Sequence, residues 1–103
     1  SGQYLPARLE LAEYYRGMRR FDLERQQLRS AWAAYPDNVT VLERLVDALV
    51  GTKEAGVPDA PSALSPGEVA EMRFLLSRIL SLAPGTEVAR RASQRILLLD
   101  KRR

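Results

Sequence analysis

Histidine and cysteine, the residues that most often serve as general base, thiol nucleophile and zinc ligand, are absent from this 103-residue sequence. Acid–base work would fall to carboxylates, and two pairs stand about one helical turn apart, Glu10 with Glu13 and Glu68 with Glu71. Such pairs arise routinely on Glu-rich helices, and neither a glycine-rich phosphate loop nor a nucleophile motif accompanies them. These residues point away from an enzyme, and they suggest no metal and no cofactor. Arginine is the other abundant charged group, 14 of the 16 basic residues, in a chain of net charge +3. It could meet phosphates or acidic partners, yet 13 acidic residues are interleaved with it and no single-sign stripe emerges, so solvated faces and ion pairs account for it more simply. Arg16, Arg19, Arg20, Arg25 and Arg29 do cluster, which keeps an Arg-rich helical-repeat nucleic-acid-binding module as the alternative. Against it, no second and third copy of a base-reading pattern follows.

The elements that must position these groups read as all-α, about five helices in one domain over residues 1–103. The chain is long enough for one core, with 46% hydrophobic residues and no surplus for a second domain. No apolar run approaches the roughly 20 residues that cross a bilayer, so no membrane insertion by this segment is expected. Ser1 and Gly2 read as an expression scar, which leaves localisation open. The cytoplasm is favoured, with a periplasmic or membrane-tethered parent as the alternatives.

Leu5, Leu9, Ala12 and Tyr15, flanked by Leu11 and Tyr14, recur at helical spacing and predict a first helix from Leu5 or Pro6 to Gly17. Asp22 stands where an N-cap belongs, and Leu28, Ala31, Trp32 and Tyr35 carry a second helix to the stop at Pro36. Trp32 and Tyr35, at that spacing, read as core rather than as interface anchors. Asp37 or Asn38 is placed to cap a third helix with Val41, Leu42, Leu45, Val46 and Leu49 on one side and Gly51 as its stop. Residues 51–64, broken by Pro58 and Pro61, read as an exposed loop, disordered or recognising a partner. Ser65-Pro66-Gly67-Glu68 spells a capping box with proline at the first helical position, opening a fourth helix that ends before Pro84. Thr86 caps a fifth, to about residue 101.

An internal repeat follows from these stops. Pro36 and Pro84 each end a helix and precede a capped one, 48 residues apart. Leu11, Ala12, Tyr15, Phe21, Leu28, Ala31 and Pro36 together resemble a tetratricopeptide repeat, whose period is about 34 residues. The excess equals the length of residues 51–64, an insertion in the interhelical turn of a second unit marked by Leu42, Leu45, Val46, Leu49, Met72, Leu76, Ile79 and Pro84. Arg8, Glu24, Val46 and Met72 depart from the pattern, Glu24 standing where a small residue normally lets the helices approach.

The resemblance implies an α-solenoid of antiparallel hairpins, the first over about 5–35 and the second over about 38–83, with a closing helix over about 86–101. It also implies a non-catalytic scaffold or adaptor, a fragment of a larger protein-assembly factor, binding a peptide or helix of another protein on a concave face. That face would be lined by Leu9, Glu13 and Arg16, by Glu43, Asp47 and Val50, and by Arg91, Arg95 and Leu98. Leu9, Glu13 and Arg44 occupy positions where the chaperone-tail subgroup needs its carboxylate clamp, so that specificity is excluded. The competing reading of the same charges is a solvated face in which Glu43 and Asp47 pair with Arg91 and Arg95. Finally, Ile96 to Leu99 are four consecutive apolar residues, and at about 100° per residue they cannot all face one core. Leu97 and Leu98 are therefore candidates for an edge that meets a second copy or adjoining repeats.

Overall fold

Local capping chemistry decides where most of the helices start. The computed structural model describes residues 5–54 and 64–101. These form five helices and no strand: α1 (Leu5–Gly17), α2 (Phe21–Ala34), α3 (Val39–Glu54), α4 (Pro66–Leu82) and α5 (Glu87–Asp100). Asn38 caps α3, its Oδ1 accepting from the Val41 amide at 3.1 Å. The Ser65 hydroxyl accepts from the Glu68 amide (3.1 Å) while the Glu68 carboxylate accepts from the Ser65 amide (2.9 Å), the reciprocal box that opens α4. The Thr86 hydroxyl accepts from the Ala89 amide at 3.2 Å, and Gly85, at φ 80°, supplies the left-handed residue the preceding turn requires.

Three expectations are corrected. Asp22 does not cap α2. The Arg20 carbonyl accepts from the amides of both Leu23 and Glu24, so the helix starts at Phe21 and Asp22 lies inside its first turn, where the helix dipole still favours a carboxylate. Gly51 does not stop α3, which runs on to Glu54. A glycine inside a helix costs only about 1 kcal/mol, less than the continuing backbone ladder returns. The rest of the expected loop, residues 55–63, lies outside the described residues. Leu11 and Tyr14 do not join the buried stripe of α1, being 37% and 63% exposed. Among the described residues α1 packs chiefly on α2, so one flank is covered and Ala12 alone in the helix is buried.

Each helix packs on the next in sequence. The radius of gyration, 13.5 Å, is close to the roughly 13 Å of a compact chain of this length, so the helices form one body rather than an extended array. The core lies between α3 and α4, where Leu42, Leu45, Leu49, Met72, Leu75, Leu76 and Ile79 are fully buried. Leu28, Ala92 and Leu99 close it from α2 and α5. Trp32 is half-buried against it and meets the exposed Phe74 of α4 with ring centroids 5.8 Å apart. No helix among the described residues is long and apolar enough to cross a membrane.

Candidate functional site

Because side chains three and four residues apart share a helix face, Glu13 and Arg16 on α1 and Glu43, Asp47 and Val50 on α3 form two short ridges. α2 lies beneath and between them and contributes Glu24 and Leu28. A cavity of about 380 Å³ opens there. Its floor is Ala12, Leu28 and Glu24; its walls are Glu13 and Arg16 from α1, Arg44, Asp47 and Val50 from α3, and Arg95 from α5.

Ion pairs cross this face from helix to helix. Glu13 accepts from Arg44 at 3.0 Å, joining α1 to α3, and Glu43 and Asp47 accept from Arg91 (2.7 Å) and Arg95 (2.9 Å), joining α3 to α5. The pairings of Glu43 with Arg91 and Asp47 with Arg95 are those of the solvated-face reading, and the Asp47–Arg95 and Glu13–Arg44 pairs also stand at the rim of the cavity. The walls carry three arginines against two carboxylates, and Glu24 at the floor brings the lining to no net charge. The hydrogen bonds that Arg91 donates to Glu43 raise the Arg91 pKa above its ordinary value, holding the guanidinium charged.

At the floor, Arg16 Nη1 donates to Glu24 Oε2 at 3.1 Å. Glu24 is 4% exposed, the one buried charged residue among those described, and its Oε1 finds no hydrogen-bond partner there. Compared with family models, curated proteins and solved structures, the chain matches none of them.

Of the nine residues placed on the concave face, five (Glu13, Arg16, Asp47, Val50 and Arg95) line this one cavity. Glu43 and Arg91 sit beside it as a pair further along α3 and α5, and Leu9 packs half-buried against the core instead. Leu98 is 61% exposed beside Leu97 at 62%, while Leu99 is buried and Ile96 half-buried, so the four-residue apolar run divides between core and solvent. Four lining residues were not assigned to the site from the sequence: Ala12 and Leu28, read as packing positions, and Arg44 and Glu24. Arg44 entered only as a mismatch to a carboxylate clamp, and Glu24 only as a misfit in a close-packed position; that misfit was the signal.

Several other acidic and basic groups are also engaged. Glu68 serves the α4 cap, and Glu71 takes a two-pronged bond from Arg29 at 2.7 and 3.1 Å, which raises the Arg29 pKa. Arg73 meets Asp100 at 2.7 Å, and Arg78 meets Asp37. Among the described residues no three His, Cys, Asp or Glu side chains are placed to hold a metal ion.

Proposed function

We propose that the chain is a tetratricopeptide-like solenoid, two helix hairpins and a closing helix, acting as a non-catalytic scaffold that binds a peptide or helix of another protein in the groove of α1, α3 and α5. The observation that carries this reading is the run of ion pairs between alternate helices along one face. Glu13–Arg44, Glu43–Arg91 and Asp47–Arg95 tie α1 to α3 and α3 to α5, whereas Arg29–Glu71 ties α2 to α4. Contacts between alternate helices, beside the Arg16–Glu24 and Arg73–Asp100 pairs that join sequence neighbours, suit stacked hairpins, and the face they cross is lined mainly by α1, α3 and α5. A charged rim over a partly apolar floor suits an extended segment with mixed side chains.

The test is selection of random peptides on the folded protein, followed by binding of the selected peptides to Asp47→Arg. The expected result is at least about a tenfold loss, because the substitution reverses one rim charge and sets it against Arg95. Peptides that bind Asp47→Arg unchanged, or no selected peptide at all, overturn the reading.

The nucleic-acid alternative draws little from the arginine cluster, since Arg16, Arg20 and Arg29 already face carboxylates. Binding of random RNA that weakens steeply with salt would revive it. Self-association through α5 belongs to the same proposal: Leu97 and Leu98 would be the residues covered. A dimer in light scattering that Leu98→Glu dissociates is the expected result, and a monomer at high concentration removes this part.

A further inference from the structure

Glu24 is the feature of the groove that packing does not explain. A buried carboxylate is costly unless its oxygens are hydrogen-bonded, and here one oxygen meets Arg16 while the other, Oε1, is closed to solvent with no partner among the described residues. The arginines around the cavity are in the opposite condition. The side chains of Arg16, Arg44 and Arg95 are 40%, 41% and 33% exposed, open to water. At Glu24 Oε1 it is a donor that is missing, not an acceptor. Its apolar lining, Ala12, Leu28 and Val50, offers a flank for a methylene stem leading to that donor.

We propose, resting on the reading of this groove as a peptide-binding face, that the cavity takes a lysine or arginine side chain of the partner. The stem lies along Ala12, Leu28 and Val50, and the cationic head donates to Glu24, which then bridges two cations, the incoming one and Arg16. Arg16 is the part that moves to admit it, since it meets Glu24 through one nitrogen and is substantially exposed. Glu13 and Asp47 stand at the rim, each paired with an arginine, Arg44 and Arg95.

The experiment titrates the isotope-labelled protein with N-acetyl-arginine amide, N-acetyl-lysine amide and the uncharged N-acetyl-norleucine amide, read by amide chemical shifts. The expected result is that the two cations, and not norleucine, shift residues 12–16, 24–28 and 47–50. Glu24→Gln should weaken them by at least about tenfold, because it keeps the shape and removes the charge. Val50→Trp, which fills the cavity without touching the carboxylate, should do the same and decides the matter if Glu24→Gln does not fold. Equal shifts from norleucine, no shifts from either cation, or cation binding untouched by the variants overturns the proposal. Selected peptides that remain sensitive to Asp47→Arg while neither cation binds would sink this inference and leave the peptide groove standing. Selected peptides insensitive to Asp47→Arg would sink both.

Discussion

The α3–α4 pair and the α1–α2 pair each join two helices adjacent in sequence, but they are built of different material. Facing positions of α3 and α4 are filled by Leu42, Leu45, Leu49, Met72, Leu75, Leu76 and Ile79, all withdrawn from solvent. The first pair buries Ala12, Leu28, Ala31 and one carboxylate, Glu24. The contrast separates what holds the molecule together from what it offers to others. An uninterrupted apolar ridge is satisfied by its neighbour, whereas a ridge broken by Glu24 leaves a floor that is neither dry nor fully hydrogen-bonded.

Substitutions in the two pairs should therefore behave differently. The largest effect is expected at Leu45→Ala, a loss of about 2–5 kcal/mol in urea denaturation, while Leu11→Ala on the exposed side of α1 should stay within about 0.5 kcal/mol. Equal losses would erase the distinction between the pairs. Arg16→Ala comes next, about 1–3 kcal/mol, because it strands the Glu24 carboxylate in a buried position. The rim should matter less: a double-mutant cycle on Asp47 and Arg95 is expected to give a coupling of at most about 1 kcal/mol that shrinks with added salt.

The smallest effect concerns acid. The side-chain hydrogen bond from Arg20 holds the Asp22 pKa below its ordinary value. A carboxyl with a lowered folded pKa contributes stability above its unfolded pKa and loses it as the pH falls through the folded one. Asp22→Asn should remove a slight part of the acid sensitivity of the urea midpoint and leave neutral stability nearly unchanged. Arg29 and Arg91 have raised values, so their contributions are complete at neutral pH and fade only at strongly alkaline pH.

The difference between the pairs was also a difference in legibility. Ser65, Glu68, Thr86 and Asn38 announce helix starts through chemistry confined to four residues, and α3 and α4 carry apolar residues at an unbroken helical period. Both signals are local, so the sequence alone places those helices. Asp22 misled because a backbone carbonyl, that of Arg20, took the amides a cap would have bound. Leu11 and Tyr14 misled because burial needs a second neighbour, and hydrophobicity at one position does not say whether one is there. The ion pairs of Glu43 and Asp47 were readable from charge complementarity between helices. The cavity was not, because Glu24 enters it from a different helix, and only the tertiary arrangement of α1, α2 and α3 brings that carboxylate beneath Val50.

The division of labour between the pairs is tested most directly by the unfolding free energy of Glu24→Met. If the carboxylate serves recognition, an apolar side chain of similar volume satisfies the floor as well or better, and stability should lie within about 1 kcal/mol of the parent or rise above it. A loss of more than about 2 kcal/mol, the size of a core cavity, would make Glu24 a structural residue and contradict the account.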